Sequence, residues 1–314
     1  MTETVGELGE GRTLARIFPR LPHADAALLG PGDDAAVIAA PDGRFVVTTD
    51  MMIHGPDFRL AWSTPHDLGF KAAASNLADV AAMGARPTAL VVALAVPSTS
   101  PVSLIEGIAD GFRDACALLA PGCGVVGGDL SVSDTLTLAV TAFGDLEGRP
   151  PVLRSGARVG DVVAVSGVLG HAAAGLRLLF EHGVTDAADL RSREPLVEAQ
   201  LAPRPPIGDG ALAALAGATA MLDLSDGLAL DARRVASASG VALDLSSRAV
   251  GNREALDGGE DHSLLATFPA GTELPGGFRA IGSVVAGEGV LVDGVAYEAR
   301  GGWDPYEGWN GGLG

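Results

Sequence analysis

The sequence predicts a mixed α and β protein (α+β) of two αβ domains, and three observations lead to this class. Its 314 residues are enough for two domains, each with a core of its own. Apolar residues make up 47% of the chain and charged residues 19%, as in compact globular proteins. Segments with strand-like and helix-like hydrophobic periods alternate, with no repeat at a period of about 20 to 50 residues. Solenoids, propellers and disordered chains are therefore excluded.

The first domain is predicted to contain three long strands and two long helices. In chain order these are a strand over 45–50, a helix over 65–83, a strand over 88–96, a helix over 101–119 and a strand over 135–143. The first helix has Ser63 and Thr64 as candidate caps and Pro65 at its first position, where no N–H is needed. Before the last strand, a short strand leads to a predicted turn, Val126-Gly127-Gly128-Asp129.

A domain boundary is predicted between residues 148 and 149, because the stretch from Gly148 to Gly160 is rich in turn residues. The first domain is then 1–148 and the second 149–314. The second domain repeats the alternation of strands and helices. Its predicted strands are 161–166, 219–224, 241–245, 262–268, 280–285 and 290–292, and its predicted helices are 171–182, 211–216 and 227–238.

Charge and composition exclude several function classes. The net charge of −18 repels phosphate backbones and anionic membranes, so we expect neither nucleic acid nor a membrane as partner. The longest apolar run, Ala89 to Val96, is too short to cross a bilayer, and the acidic start lacks a secretory signal. We therefore expect a cytoplasmic protein. Cys116 and Cys123 form neither a disulfide framework nor a zinc spacing, and we expect both to be buried apolar residues.

The motifs of the common nucleotide-binding and hydrolytic enzymes are missing from the sequence. There is no G-x-x-x-x-G-K-[ST] phosphate loop, and Lys71 is the single lysine. Neither G-x-S-x-G nor H-E-x-x-H occurs, and the six histidines do not pair at metal-binding spacings. The turn from Gly167 to Gly170 could bind an anion at a helix N-terminus, or could serve close packing of that helix.

Acidic residues instead gather beside glycines and hydroxyls at predicted strand ends and turns. Five such clusters occur: Gly32-Asp33-Asp34, Thr48-Thr49-Asp50, Gly127-Gly128-Asp129, Asp223-Leu224-Ser225-Asp226-Gly227 and Gly259-Glu260-Asp261. Mg²⁺ and Ca²⁺ prefer oxygen ligands, and the glycines let a phosphate approach the backbone. Any one cluster could also be a turn or a helix cap, and Asp223 and Ser225 could cap the next helix. Together they favour phosphoryl transfer from a nucleoside triphosphate with bound cations.

Two further elements contribute candidate residues. On the helix over 65–83, Lys71, Ser75 and Asp79 follow one another at i, i+4 and i+8, so they lie along one side. Arg154, in the segment Leu153-Arg154-Ser155-Gly156-Ala157 near the domain boundary, is the arginine best placed to reach phosphates. Bridging cations and one arginine would allow this acidic protein to bind an anionic substrate.

In their order and spacing, these motifs resemble those of the thiamine-monophosphate kinases, within the aminoimidazole-ribonucleotide-synthetase-like superfamily. The resemblance runs nearly end to end and includes the closing Gly302-Trp303-Asp304. It implies phosphorylation of thiamine monophosphate to thiamine diphosphate, in thiamine diphosphate biosynthesis, by direct in-line transfer from ATP with several Mg²⁺ ions. Positioning and metal ions would then carry catalysis without a covalent nucleophile. The resemblance also implies a homodimer whose N-terminal sheets pair across the interface.

The resemblance further implies a set of site residues. The Mg²⁺ ligands would be Asp33 or Asp34, Thr48, Thr49, Asp50, Asp79, Asp129, Asp223 and Asp226. ATP would contact Gly128, Asp129, Arg154 and Ser225, and the substrate would contact Asp57, Glu260 and Trp303. The face of Trp303 suits the cationic thiazolium ring, although this residue could also be a core or interface aromatic.

Two positions depart from the pattern of the resembled family. Asp57-Phe58 stands where the family usually has His-Phe, with His54 three residues earlier. A carboxylate at this position can pair with a substrate phosphate only through a cation. His262-Ser263 stands where the family usually has Tyr-Glu after Gly-Glu-Asp, which changes the expected wall of the substrate site.

Two other functions stay open. The first is an ATP-dependent ring-closing synthetase of the purine type in the same superfamily. The motifs Gly302-Trp303-Asp304 and Glu260-Asp261 favour the kinase over this synthetase. The second is a catalytically silent protein that binds thiamine phosphates or divalent cations. Selenophosphate synthesis and hydrogenase maturation would require a cysteine in a terminal segment, whereas Cys116 and Cys123 are internal.

Overall fold

The computed structural model of the chain describes residues 3–31, 35–182 and 187–302. Within these residues the chain divides into two compact units. Unit 1 contains 3–77 and 87–145, and unit 2 contains 78–86 and 146–302. The predicted α+β class is confirmed, since helices and strands alternate and the sheets contain both parallel and antiparallel pairs. A boundary between residues 148 and 149 stays a prediction, because compactness does not test where independent folding begins.

The helices and strands have the following bounds. The helices are α1 (Val5–Leu8), α2 (Glu10–Ile17), α3 (Pro65–Ala82), α4 (Val102–Leu119), α5 (His171–His182), α6 (Ala187–Arg193), α7 (Pro195–Leu201), α8 (Ile207–Leu215), α9 (Leu228–Ser239), α10 (Ser247–Val250) and α11 (Arg253–Asp257). The strands are β1 (Ala27–Leu29), β2 (Val37–Ile38), β3 (Val46–Ile53), β4 (Arg86–Val96), β5 (Gly124–Val132), β6 (Thr137–Asp145), β7 (Val162–Ser166), β8 (Ala220–Leu224), β9 (Ala242–Leu245), β10 (Ser263–Phe268), β11 (Arg279–Val285), β12 (Gly289–Val292) and β13 (Val295–Ala296).

Unit 1 contains a four-stranded sheet in the order β3-β6-β4-β5, so that β3 and β5 are its outer strands. β3 and β6 are antiparallel, whereas β4 and β5 are parallel and are joined through α4. Gly69 on α3 and Gly111 on α4 allow these helices to pack closely. A Cβ at Gly69 would lie 2.0 Å from the Ile108 carbonyl oxygen, and one at Gly111 would lie 2.1 Å from the His66 carbonyl oxygen.

The start of α3 follows from its local sequence. The backbone N–H and the hydroxyl of Thr64 donate to Asp67 Oδ2 at 2.8 and 2.7 Å, and the Asp67 N–H donates to Thr64 Oγ1 at 3.2 Å. This reciprocal capping box satisfies backbone donors that the first turn leaves unpaired. The helix begins at Pro65. The predicted cap at Thr64 and the predicted position of Pro65 are confirmed.

The turn predicted at Val126-Gly127-Gly128-Asp129 is wrong, because β5 runs through this segment as a strand, with a shift of register against β4 at Val126. Gly128 pairs with Val92 on the neighbouring β4, and a Cβ at Gly128 would lie 1.9 Å from the Val92 carbonyl oxygen. The glycine is therefore required by close approach of the adjacent strand, and not by a turn. Asp129 thus lies within an outer strand of the sheet.

Unit 2 contains a seven-stranded sheet in the order β13-β12-β9-β11-β7-β10-β8. β8 is one outer strand, and it pairs with β10 in antiparallel register, Ser263 opposite Leu224 and Leu264 opposite Asp223. Its core joins side chains from the sheet to those of α9, with Leu222, Leu243 and Leu265 among the buried members. Burying one such side chain contributes roughly 1.5 to 3 kcal/mol.

Several short elements were not predicted from the sequence. They include β1, β2 and β13, and also α6, α7 and α11. The predicted helix over 211–216 begins earlier, at Ile207, directly after Pro206. Helices of one or two turns are too short to show a clear hydrophobic period and depend on tertiary packing. Across the described ranges, no helix combines the length and apolar character needed to cross a membrane.

Candidate functional site

Four predicted site residues meet at one end of the unit 2 sheet. Asp223 lies near the end of β8, Ser225 and Asp226 follow it, and Glu260 shortly precedes β10. The segments 224–227 and 257–262, which we call the paired loops, contact each other through their backbones. The Glu260 N–H donates to the Ser225 carbonyl at 2.7 Å, and the His262 N–H donates to the Leu224 carbonyl at 3.1 Å. The structure therefore brings these candidate residues together.

Glycines make the close contact of the paired loops possible. A Cβ at Gly259 would lie 2.5 Å from the Ser225 carbonyl oxygen. Gly227 has a φ of +119°, and a Cβ there would lie 2.7 Å from the Asp257 carbonyl oxygen. Larger side chains at either position would separate the two acidic segments.

Asp223 and Ser225 do not cap the following helix, an alternative that the sequence left open. The N-cap of α9 is Gly227, and no side-chain cap bond is made there. Asp223 is 6% exposed, and its Oδ2 lies 3.2 Å from His262 Nδ1. Its carboxylate is thus held by a side chain of the other loop.

The residue that holds the Asp226 turn is Asp231, which no motif of the sequence marks as part of the site. Asp231 is fully buried in the first turn of α9, and its Oδ2 accepts the N–H groups of Asp226 and Gly227 at 3.1 and 3.2 Å. Arg234 forms ion pairs with Asp231 and with Asp226, the latter at 2.6 Å. Burial raises the pKa of Asp231 to about 7, although the charge of Arg234 opposes this increase.

The raised pKa of Asp231 predicts a pH dependence of stability. Between about pH 4 and pH 7 the folded carboxyl keeps its proton while the unfolded one is ionised, so the free energy of unfolding should decrease as pH rises through this window. The rise of the pKa from 3.8 to about 7 corresponds to about 4 kcal/mol, at about 1.4 kcal/mol per pKa unit, and we expect Asp231→Asn to remove this dependence. Urea unfolding of both proteins across this window measures it. Parallel pH profiles of the two proteins would contradict the prediction.

The Glu260-Asp261-His262 segment has an unusual backbone. Glu260 and His262 have φ of +72° and +52°, a region that side-chain-bearing residues seldom occupy. Asp261 between them is buried, and its carboxylate accepts the N–H groups of Gly170 and Ala172 at 2.5 and 2.8 Å. Such backbone conformations persist where surrounding contacts enforce them, and they cluster at functional sites.

The contact with Asp261 also decides between the two interpretations of the turn from Gly167 to Gly170. The N-terminus of α5 is occupied by the carboxylate of Asp261. In addition, a Cβ at Gly170 would lie 2.5 Å from the Glu254 carbonyl oxygen. Close packing and an internal cap therefore explain this turn, and an external anion is not needed.

The chain segment leading to Trp303 is anchored beside the paired loops. Arg233 donates to the carbonyl oxygens of Tyr297, Ala299 and Arg300, at 2.6 Å for the first two. The Tyr297 hydroxyl contacts Asp257 Oδ1 at 2.8 Å, and the Gly302 N–H donates to the Asp257 carbonyl at 3.0 Å. Trp303, predicted as a substrate contact, lies outside the described residues.

Arg154 lies at the other end of β8 from Ser225. The Leu153 carbonyl accepts the N–H of Met221 at 2.9 Å, near the start of the strand, and the Arg154 carbonyl accepts the hydroxyl of Ser239. Met221, which contacts the neighbour of Arg154, is four positions before Ser225, or roughly 13 Å along an extended chain. The two predicted ATP contacts are therefore not adjacent, although the side chain of Arg154 is exposed.

In unit 1, the strand β3 places the predicted ligands on both faces of the sheet. Thr48 and Asp50 lie opposite the buried Ala142 and Val140, and the Asp50 N–H donates to Asn76 Oδ1 on α3 at 3.1 Å. Thr49 points to the opposite face, because side chains alternate along a strand. Its hydroxyl donates to the Val140 carbonyl and accepts from Thr141.

Asp129 is exposed on β5, the outer strand opposite β3. Two strands separate it from Asp50, or about 14 Å of sheet at the usual spacing. Its Oδ2 accepts the Ser131 hydroxyl at 2.7 Å. A cavity of about 750 Å³ is bounded by Gly127, Gly128 and Asp129 on one side and by apolar residues of α4 on another, within the usual size of small-molecule pockets.

The remaining predicted residues are placed as follows. Asp79 is half-buried on α3. The Oδ2 of Asp57 accepts the Ile53 N–H at 2.7 Å, so its carboxylate supports its own loop. Asp33 and Asp34 lie outside the described residues, although Pro31 and Ala35 on either side line the cavity next to Asp129. The exposed location of Asp129 and the half-buried one of Asp79 leave both carboxylates near the protein surface.

The donor set suits a hard cation, but the described part of the chain does not complete a metal site by itself. Within 3–31, 35–182 and 187–302, no three histidine, cysteine, aspartate or glutamate side chains converge as metal ligands. The candidates provide carboxylate and hydroxyl oxygens, which Mg²⁺ prefers. Mg²⁺ in proteins is often held by only one or two carboxylates, with substrate phosphates and water as the other ligands. The residues present fit Mg²⁺ bound in this way.

Comparisons with known proteins define the family. Residues 32–146 match the family described as AIR synthase related protein, N-terminal domain. A thiamine-monophosphate kinase of Mycobacterium tuberculosis (strain CDC 1551 / Oshkosh) is 45% identical over 321 residues, covering 96% of this chain and 93% of the relative.

Solved structures agree with the sequence relationship. The structure of a thiamine-monophosphate kinase from Stenotrophomonas maltophilia K279a is 34% identical, covers 91% of this chain and 96% of its own, and superposes with a TM-score of 0.77. AaThiL complexed with AMPPCP and TMP is 33% identical, covers 96% and 98%, and has a TM-score of 0.74. The chain therefore belongs to the thiamine-monophosphate kinase family.

Proposed function

We propose that this protein phosphorylates thiamine monophosphate to thiamine diphosphate with ATP, by direct in-line transfer that depends on Mg²⁺. The observation that carries the proposal is 45% identity along 96% of the chain to a thiamine-monophosphate kinase. A phosphate oxygen of thiamine monophosphate attacks the γ-phosphorus of ATP, and ADP leaves from the opposite side. The product therefore receives the whole γ-phosphoryl group.

The chain's own residues would act by binding and orientation. Asp223, Asp226 and Ser225 would face the nucleotide phosphates, and the contact of Asp231 with the Asp226 turn would keep these groups preorganised. Arg154, Gly128 and Asp129 would provide further contacts to ATP. Bound Mg²⁺ would neutralise the phosphates and stabilise the charge that develops during transfer.

We assign the Mg²⁺ ligands to more than one ion. Asp50 and Asp129 stand on opposite outer strands of one sheet, so a single ion held by both within one chain is not part of the proposal. The proposed ligands are Asp33 or Asp34, Thr48, Thr49, Asp50, Asp79, Asp129, Asp223 and Asp226. Because no three acidic, histidine or cysteine side chains converge in the described part of the chain, phosphate oxygens of ATP would complete the coordination. Tight Mg²⁺ binding should therefore require the nucleotide.

Glu260 and Trp303 are the proposed contacts to the thiamine part of the substrate. A carboxylate and an aromatic face both attract a cationic thiazolium ring. Glu260 belongs to the paired loops. Gly302, the residue before Trp303, is bonded to Asp257 of the same loops, and the segment before it is anchored by Arg233. Asp57 would approach the substrate phosphate only through a cation.

A steady-state assay with purified protein, ATP and Mg²⁺ tests the proposed function. Thiamine monophosphate, thiamine and formylglycinamidine ribonucleotide are compared while ADP and the phosphorylated product are followed. ADP formed in step with thiamine diphosphate is the expected result. Turnover only on the ribonucleotide would indicate the ring-closing synthetase. Binding of thiamine monophosphate without turnover would indicate a silent binding protein.

We also propose that the protein is a homodimer that forms through the sheet of unit 1. Val47 and Met51 on the outer strand β3 lie on the same face and are 54% and 58% exposed. Val132 on the other outer strand is 76% exposed. Exposed apolar side chains beside an unpaired strand edge are typical of surfaces that pair with another chain.

Met51→Glu is expected to weaken this dimer at least tenfold, because it places a charge on the apolar face of β3. Sedimentation velocity over a range of protein concentrations measures the effect. Leu215→Glu, which changes an exposed apolar residue of α8 in unit 2, is the matched control and should leave the association unchanged. A wild-type protein that stays monomeric at all concentrations would refute the dimer.

A further inference from the structure

The imidazole of His262, in the second of the paired loops, contacts Asp223, a proposed metal ligand in β8. His262 is 5% exposed and Asp223 is 6% exposed, and His262 Nδ1 lies 3.2 Å from Asp223 Oδ2. The carboxylate of Asp223, a predicted site residue, is thus held by a buried histidine. In the sequence, His262 is marked only by its departure from the family's pattern.

The register of the sheet explains why this contact forms. Leu264 on β10 stands opposite Asp223 on β8, so the two side chains lie on the same face. His262 lies just before β10, two residues from Leu264, and its imidazole reaches Asp223 diagonally across the two strands. A long side chain can bridge this diagonal, and the imidazole does so.

The backbone around His262 fixes the direction of its side chain. Its N–H donates to the Leu224 carbonyl, and its φ of +52° lies in the left-handed region. The preceding Asp261 is tied to Gly170 and Ala172 at the start of α5. Since the chain is held on both sides, the unfavourable φ persists and the imidazole stays directed at Asp223.

We propose that His262 is a positioning residue that orients the carboxylate of Asp223 for Mg²⁺, a role that rests on the proposed function. Nδ1–H donates to Oδ2, which leaves Oδ1 as the oxygen through which Asp223 ligates the ion. A buried carboxylate without such a donor would rotate or recruit another partner. Partners that orient metal ligands typically change metal affinity or activity by about 10 to 100-fold when they are removed.

Metal affinity tests the role of His262 independently of turnover. Mn²⁺ is titrated into the protein with AMPPCP, and free Mn²⁺ is followed by its EPR signal. His262→Phe keeps a ring of similar size but removes the donor, so the half-saturating Mn²⁺ concentration should rise at least tenfold. His262→Asn retains an N–H near the position of Nδ1 and should stay within about threefold of the wild type. Unchanged Mn²⁺ affinity in His262→Phe would overturn the proposal.

A double-mutant cycle separates positioning from general packing. If His262 acts through Asp223, adding His262→Phe to Asp223→Asn should weaken Mn²⁺ binding by less than about twofold beyond the single Asp223→Asn change. A further tenfold loss would instead indicate an effect that does not pass through Asp223. Thermal unfolding shows whether each variant is folded.

A measurement on the wild-type protein keeps the proposal testable if His262→Phe does not fold. Nitrogen-15 NMR of the histidine rings should show a proton on Nδ1 of His262, as the contact requires. An Nδ1 without a proton would overturn the role. If the wild type turns over thiamine monophosphate but His262→Phe binds Mn²⁺ normally, only the role of His262 is refuted. A wild type without product refutes the proposed function, whereas the Mn²⁺ titration still tests His262.

Discussion

Replacing Asp129 by asparagine should lower kcat/KM for ATP about a thousandfold while the protein remains folded. The change removes one negative charge and one ligand oxygen from the proposed Mg²⁺ and nucleotide site, and several kcal/mol of transition-state stabilisation depend on such charges. Asp129 is exposed and lies in an outer strand, so no core contact is lost. Steady-state kinetics at saturating Mg²⁺ and a thermal unfolding curve measure the two effects.

Asp134→Asn is the matched control for Asp129→Asn. Asp134 is also exposed and lies five residues further along the chain, in the turn between β5 and β6. It makes the same charge change outside the proposed site, so kcat/KM should stay within about twofold. Near wild-type turnover in Asp129→Asn would exclude Asp129 as a ligand. An equal loss in both variants would indicate a general effect of charge on ATP binding.

Replacing Asp231 by alanine should produce the largest loss of stability, about 3 kcal/mol. Its fully buried carboxylate accepts two backbone N–H groups and pairs with Arg234, and each buried donor left without an acceptor costs roughly 1 to 3 kcal/mol. The partial exposure of Arg234 reduces the contribution of the ion pair. Because Asp231 holds the Asp226 turn, we also expect kcat to fall. Urea unfolding and steady-state kinetics measure both effects.

Two variants serve as controls for Asp231→Ala. Glu288→Ala removes an exposed acidic side chain from unit 2 and should change the free energy of unfolding by less than about 0.5 kcal/mol. Asp231→Asn keeps a carbonyl oxygen to accept the two N–H groups and has no proton to lose as pH rises, so it should lose less stability than Asp231→Ala near pH 7. A loss below about 1 kcal/mol in Asp231→Ala would mean that the Asp226 turn is held by other contacts.

The family pattern and the local geometry agree best in the paired loops. The sequence identified Asp223, Ser225, Asp226 and Glu260 as candidates because they are acidic or hydroxyl residues beside glycines. The structure explains the glycines, since Gly227 and Gly259 permit the close backbone contacts that bring the acidic segments together. Asp261 was also part of the acidic pattern, yet its buried carboxylate serves the start of α5. Neighbouring acids in one motif can therefore have different roles.

The order of residues alone is enough to predict the class of the fold, its long elements and the motifs that carry the family relationship. The start of α3 is an example, because Thr64, Pro65 and Asp67 lie within one turn and their capping contacts depend only on local spacing. Long amphipathic helices and apolar strands are likewise visible as periods in the chain. Acidic residues beside glycines can also be identified from the sequence, since the residues of each cluster are neighbours in the chain.

The partners of these residues are visible only in the folded chain, because those partners are distant in sequence. Gly128 has the local sequence of a turn, but it lies beside β4, where the Val92 carbonyl occupies the space that a Cβ would need. Asp231 resembled an ordinary acidic residue in the first turn of a helix, and its burial beneath Asp226 carries no local signal. The contact of His262 with Asp223 depends on the register of two strands nearly forty residues apart. Burial, strand register and contacts between loops arise from packing, which hydrophobic period and local motifs do not encode.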